Sequence, residues 1–410
     1  MNIHLSAPRE QPIRASIAIT GSKSESNRLL LLKALYPNIS IKNLSNSDDA
    51  AVMVKGLGQV SGTVDIHHAG TAMRFLTAFF ATQEGRDVVL TGSGRMKERP
   101  IRILVEALQY LGADITYQNE PGYPPLIIHG KRLRADAVQL PAHVSSQYIS
   151  ALLLVAGRLE NGLTIELIGE ITSVPYIKMT LALLGQIGIR SEFSGQTIRV
   201  WPAREVKDTT LVVESDWSSA SYYYSIAALS ERGTEITISS FKEDSLQGDS
   251  ILQDIYRDFG VMTQFDDGRM TLKKISAKIP VKLNYHLADA PDIAQTLAVC
   301  CYALGVGCRL TGLHTLKIKE TDRLVALETE LTKLGASISV TDRALQLEAG
   351  GSFQEGVAID TYNDHRMAMA FAPYALRAGV TIRDAGVVSK SYPDFWRDLA
   401  SLGLGVKEAD

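Results

Sequence analysis

Cysteine is nearly missing from this chain. Its 410 residues hold three, Cys300, Cys301 and Cys308. The first two are adjacent in an apolar helical run, which excludes a disulfide framework and leaves buried free thiols in a reducing cytosol as the expectation. There is no excess of positive charge: 42 Lys and Arg face 45 Asp and Glu, a formal net charge of −3. The cations stand singly beside acids rather than in runs, so a surface for nucleic acid is excluded and a closed pocket for a small anion is favoured. Long apolar runs are missing too. The longest, Tyr148 to Leu159, is interrupted by Arg158 and is too short to span a bilayer, and Met1–Glu10 has no apolar core of signal-peptide length. No HExxH spacing occurs among the eight histidines, and no GxxxxGK[ST] loop, GxSxG elbow or Cys–His pairing is present. A metal site is therefore not expected. What remains is an ordinary globular composition, 45% apolar and 21% charged, with length enough for two large domains.

One pattern recurs six times. A helical run closes on an apolar residue plus glycine, and a β-prone segment follows. The closings are Leu57-Gly58, Leu111-Gly112, Ile187-Gly188, Phe259-Gly260, Leu334-Gly335 and Leu402-Gly403, with glycines 54, 76, 72, 75 and 68 positions apart. Glycine after a last helical turn takes a left-handed conformation at little cost and aims the chain into a strand. Alternating strands are expected at Ala113–Tyr117 and Ala336–Val340. The chain reads as an α/β protein of six repeated α+β modules, three per domain. Polar breaks at Ile19–Ser22 and Val213–Asp216 mark the crossings, which sets domains at 1–20 with 215–410, and at 21–214. Two short crossings act as a hinge.

Charged residues gather where helices begin. Lys319-Glu320-Thr321-Asp322-Arg323 precedes a helical run from Leu324 to Leu334, and Tyr362-Asn363-Asp364-His365-Arg366 precedes one from Met367 to Leu376. Gly21-Ser-Lys-Ser-Glu-Ser-Asn-Arg28 opens an apolar helix over Leu29–Leu35. Ala69-Gly70-Thr71, Gly92-Ser93-Gly94-Arg95, Ser145-Ser146-Gln147 and Ser173-Val174-Pro175-Tyr176 repeat the arrangement, and Pro100 is expected near the first turn of the helix after Arg95. Free N–H groups and the helix dipole favour an anion at such ends, and Lys23 adds a point charge. Each stretch alone is also a plain N-cap; their number points to helices converging on one anionic site. Asp292, after Pro291, and Glu320, between Lys319 and Arg323, are the acid–base candidates, because burial and neighbouring cations push a carboxylate in opposite directions.

Five ordered motifs carry a resemblance: Gly21–Arg28, Ala69–Arg74, Arg95-Met-Lys-Glu-Arg-Pro100, Lys319–Arg323 and Thr361–Met369, with Ser389-Lys390-Ser391-Tyr392-Pro393-Asp394 beyond them. Together they resemble the 5-enolpyruvylshikimate-3-phosphate synthase family across essentially the whole chain. The resemblance implies a two-domain inverse α/β barrel of six βαβαββ units, with the first strand segment joining the C-terminal domain. It implies transfer of the enolpyruvyl group of phosphoenolpyruvate to shikimate-3-phosphate, by a cytoplasmic monomer of the shikimate pathway with no cofactor, a class targeted by glyphosate.

Carried onto this sequence, the resemblance gives Ser24 and Arg28 to the shikimate carboxylate, and Ser145, Ser146 and Ser173 to its phosphate, with Gln147 and Tyr176 nearby. Lys23, Gly70, Arg95, Gln147, Arg323, Arg366 and Lys390 would grip phosphoenolpyruvate. Asp292 would take the proton of the 5-hydroxyl, Lys319 would contact the ring, and Glu320 would protonate the methylene carbon. Lys23 would also serve catalysis. Two ligands that carry several negative charges need fixed cations to be juxtaposed. The chain departs from the family at His67-His68, Phe75 and Thr315, the first two of which bear on the phosphoenolpyruvate pocket. Two alternatives share the module. A UDP-N-acetylglucosamine enolpyruvyl transferase carries a Cys on the loop where this chain has Gly92–Arg95, and an RNA 3′-phosphate cyclase needs ATP and a nucleic-acid surface.

Overall fold

The computed structural model describes residues 1–142, 145–169, 171 and 173–409. They divide into two units, one of Met1–Thr20 with the chain from Glu214 onward, the other Gly21–Val213. Glu214 belongs with the first of these, where its carboxylate accepts from Trp217 Nε1 at 2.8 Å and from Ser245 Oγ at 2.7 Å.

Within Gly21–Val213, the strands Ser61–Asp65, Asp87–Thr91, Leu126–His129 and Asp114–Tyr117 lie side by side in that order. The first two are parallel, joined through a helix as parallel pairs require, and the last two form an antiparallel hairpin. Ala137–Pro141, Leu163–Ile168, Thr197–Val200 and Ser191–Ser194 repeat this arrangement.

The other unit repeats it three times. Arg14–Ile17 opens one sheet and Lys282–His286 a second. In the third, Val357–Ile359 and Val380–Ile382 are completed by Asn2–Ser6 and Gly405–Ala409. Five βαβαββ units are therefore complete. The sixth of the expected units is reduced: the remaining sheet, among the described residues, is the parallel pair Ile39–Lys42 and Thr209–Val212. The helix after Ile39–Lys42 ends at Leu57 and the next repeat's strand starts at Ser61, which leaves no chain for a hairpin.

In each unit the helices form the interior. Gly70–Ala81 is buried at every residue but Thr71, and Ala294–Leu304 at every residue but Leu304. A helix apolar on all sides has to lie inside. The three cysteines are buried and free.

Five of the six punctuating glycines are left-handed, with φ from 72° at Gly260 to 107° at Gly112. Gly58 is not: it ends its helix at φ −77° in the right-handed region, and the next positive-φ glycine is Gly62, inside the strand Ser61–Asp65. The same two-letter motif thus predicts opposite substitutions. Gly58→Ala, whose nearest obstacle is a carbonyl at 3.6 Å, is expected to stabilise by about 0.5 kcal/mol. Gly260→Ala would set a Cβ 2.1 Å from Ser276 O at positive φ and is expected to cost about 2 kcal/mol or more. Urea midpoints at equal m-value measure both.

Helix bounds also shift from the sequence reading. The helix expected at Leu29 begins at Lys23. The one expected over Met367–Leu376 runs from His365 to Phe371 and tightens into a 3-10 turn at Ala372–Leu376, where Pro373 lacks the N–H to continue it.

Candidate functional site

The helix Arg323–Lys333 starts after Asp322, whose carboxylate accepts from the N–H of Leu324 and Val325. That cap fixes the backbone at Arg323, whose buried guanidinium meets three carboxylates. Nη1 reaches Asp292 at 2.9 Å, Nη2 reaches Glu320 at 2.9 Å, and Nε reaches Asp364 at 2.6 Å. Asp292 is in turn held by Arg366 Nη2 at 3.0 Å and lies 3.6 Å from Lys319 Nζ. Burial pushes the Asp292 carboxyl up, but Arg366, then Lys319 and Arg323, outweigh it and leave the group well below the usual carboxylate range. Lys390, nearly buried on the turn Ala385–Lys390, donates to Asn363 O. Asp249 sits beside the cluster with Oδ2 on Ser218 Oγ. Burial and the Asp292 charge lift it to about 7 against the pull of Arg366.

In the unit Gly21–Val213, Arg28 ties four helices together near their N-termini. From the Lys23 helix its Nε donates to Thr180 on Val174–Gln186 at 2.8 Å, and Nη2 donates to Ser150 on Ser146–Ala156 at 3.0 Å. The guanidinium lies 5.4 Å from the Phe75 ring on Gly70–Ala81 and 5.7 Å from the Tyr176 ring. These partners all fall within the first two turns of their helices. Burial pulls Arg28 down to about 10. Its Nη1 also holds Ser24 O at 2.8 Å. Lys23 pairs with Asp49 at 3.1 Å.

Ser145 caps its helix through Gln147 N, and Gln147 Nε2 donates to Thr71 Oγ1 at 3.2 Å, which joins the Ser145 and Gly70 helix mouths. Ser146 is buried. Ser173 is left-handed at φ 55°, makes no side-chain cap bond, and leaves Tyr176 on the first turn. A non-glycine residue there costs on the order of 1 kcal/mol and is a common mark of functional turns.

Arg95 departs from its expected place. It lies on the one-turn helix Gly94–Lys97, half exposed, paired with Glu98 at 2.9 Å. The guanidinium against Gly70 is that of Arg99, so close that a Cβ on Gly70 would lie 2.6 Å from its Nη1. Pro100 likewise precedes, rather than enters, the helix Arg102–Tyr110. Sequence reasoning also gave no role to Asp49, Asp249 or Asp364. Asp364 and Arg99 stood within quoted motifs; Asp249, alone in a Gln-Gly-Asp loop, offered no periodic signal.

Of the departures from the family, His67 and His68 precede the helix Gly70–Ala81. Phe75 is fully buried beneath Arg28. Thr315 Oγ1 is buried with no hydrogen-bond partner among the described residues.

Comparison with known proteins places this geometry. The family model described as EPSP synthase (3-phosphoshikimate 1-carboxyvinyltransferase) matches residues 60–399. A 3-phosphoshikimate 1-carboxyvinyltransferase of Bacteroides fragilis is 44% identical over 412 residues, 99% of each chain. That of Aliivibrio fischeri is 35% identical over 421 residues, covering 95% of this chain and 97% of its own. EPSP synthase of Acinetobacter baumannii shares the fold, with a TM-score of 0.79 at 21% identity over 100% of both chains. On the matched span, the motifs and the full-length identity, this chain belongs to the EPSP synthase family.

Proposed function

We propose that the chain transfers the enolpyruvyl group of phosphoenolpyruvate to the 5-hydroxyl of shikimate-3-phosphate and releases phosphate, and that the two units are its two domains. The observation that carries the reading is Arg323 with three carboxylates on one buried guanidinium, next to a second guanidinium and a lysine. Such a cluster holds both an acid and a base beside cations for a polyanion.

Ser24 and Arg28 serve the shikimate carboxylate, and Ser145, Ser146 and Ser173 the phosphate, with Gln147 and Tyr176 nearby. Lys23, Gly70, Gln147, Arg323, Arg366 and Lys390 serve phosphoenolpyruvate. Arg99 takes the place first given to Arg95, because Arg99 is the cation beside Gly70.

The 5-hydroxyl oxygen bonds to C2 of phosphoenolpyruvate while its proton passes to Asp292 and the methylene carbon takes a proton from Glu320. In the second half, that carbon returns a proton to Glu320 and phosphate leaves C2, carrying away the proton that Asp292 took from the 5-hydroxyl. With Arg323, Arg366 and Lys319 all on it, Asp292 is a weak base. Anionic substrate draws the guanidiniums toward itself, and the Asp292 carboxylate becomes more basic as the site fills. Lys319 contacts the ring, and Lys23 also serves catalysis. The reaction changes no oxidation state, so no cofactor is called for. No helix of the described residues is long and apolar enough to cross a membrane, and we read the chain as a cytoplasmic monomer.

Phosphate release from phosphoenolpyruvate tests the assignment. Release is expected with shikimate-3-phosphate and not with UDP-N-acetylglucosamine; the reverse overturns it. Arg99→Met is expected to raise the KM for phosphoenolpyruvate roughly tenfold or more, and Arg95→Met to leave it unchanged. The opposite ranking would return the role to Arg95.

A further inference from the structure

We infer that Glu330, which the mechanism does not use, is a positioning residue that holds the turn carrying Asp364 and Arg366. The inference rests on the reading that Arg366 and Arg323 bind phosphoenolpyruvate. Glu330 lies seven residues after Arg323 on one helix, so the two share a face at 3.6 residues per turn. Both reach the same neighbouring segment, Arg323 at Asp364 and Glu330 two turns further along.

Glu330 is wholly buried, and its carboxylate collects four donor contacts. Lys333 Nζ reaches its two oxygens at 2.8 and 2.7 Å, Tyr362 Oη donates at 2.5 Å, and Asp360 N donates at 3.2 Å. Lys333 also pairs with Asp360 at 2.7 Å. The segment held this way is costly to form. Tyr362 and Asn363 are consecutive left-handed residues, at φ 54° and 55°, a conformation that side-chain-bearing residues keep only when their surroundings impose it. The turn closes with Asp364 N on Thr361 O at 2.8 Å. Asp364 then caps the next helix through Arg366 N at 2.9 Å while its other oxygen takes Arg323 Nε. Arg366 ends on Asp292. One helix thus grips the turn at two points, and the register of the cations on Asp292 follows from both.

Steady-state kinetics with each substrate varied, run beside urea unfolding, tests this. Glu330→Gln keeps the shape but removes the charge and turns one oxygen into an NH2 donor, so Lys333 loses its ionic partner and Tyr362 Oη and Asp360 N cannot both keep an acceptor. Tyr362→Phe removes one hydroxyl from a ring 37% exposed, which leaves the fold intact. A small misplacement of reacting groups costs about a hundredfold. The expected fall in kcat/KM for phosphoenolpyruvate is therefore about a hundredfold for Glu330→Gln and roughly tenfold for Tyr362→Phe. Both falls include a raised KM for phosphoenolpyruvate at an unchanged KM for shikimate-3-phosphate. The double variant should be no worse than Glu330→Gln alone. An unchanged KM for phosphoenolpyruvate in Tyr362→Phe overturns the inference, whatever kcat does, because lost folded protein lowers kcat alone. Wild-type protein that releases no phosphate would instead sink the functional reading.

Discussion

Asp292→Asn is expected to lower turnover by about 10²- to 10⁴-fold while phosphoenolpyruvate binds as tightly as before or more tightly. The two halves of that result have one cause. On the proposed mechanism the Asp292 carboxylate receives the proton, and in this structure it also pairs with Arg323 and Arg366, at 2.9 and 3.0 Å. An amide cannot accept the proton and competes less well for the guanidiniums, so an incoming carboxylate or phosphate meets freer cations. Turnover numbers and equilibrium dialysis of labelled phosphoenolpyruvate check the two halves separately. Wild-type turnover would remove Asp292 from the chemistry; affinity falling in step with turnover would mean that the carboxylate helps hold the ligand.

Stability follows with a definite sign. Because the folded group lies below its unfolded value, it stabilises above the unfolded pKa of about 3.9 and that contribution is lost as the pH falls further. The variant lacks that acid-side loss.

Arg323→Met is expected to be the most destabilising single change, costing about 3–5 kcal/mol near neutral pH. Arg366 and Lys319 still compensate Asp292, but Glu320 and Asp364 lose the guanidinium they share. Asp364 is fully buried, so its charge is left without that partner in the interior. The deficit relative to the matching Arg323 background should shrink when Asp364→Asn removes that charge. Urea unfolding of Arg323→Met with and without Asp364→Asn measures it. An equal deficit in the two would mean that packing, not charge, is what Arg323 supplies.

Local rules made much of this legible in sequence. The glycines after helices announced the repeat because left-handed backbone is costly for other residues, and five of the six obey. The charged knots at Lys319 and Tyr362 were visible because acids and bases crowd where helices start, and Arg323 does join Asp292, Glu320 and Asp364. What failed depended on turns of very few residues. Arg95 and Arg99 stand four apart in one motif, and only the single-turn helix that gives Arg95 to Glu98 shows which of them faces Gly70. Glu330 looks like any acid on an amphipathic helix until the Asp360–Tyr362 backbone is laid over it. The reduced repeat was foreshadowed only by a short spacing.

The pairing of Asn2–Ser6 with Gly405–Ala409, register Asn2 to Ala409, sets an order of events in biosynthesis. Gly21–Val213 is a continuous segment whose sheets, among the described residues, recruit no strand from outside it, so it is free to condense while the ribosome is still at work. The opening strand has no such freedom. It must stay unsatisfied, its ladder of amides bare, until the final repeat has been translated.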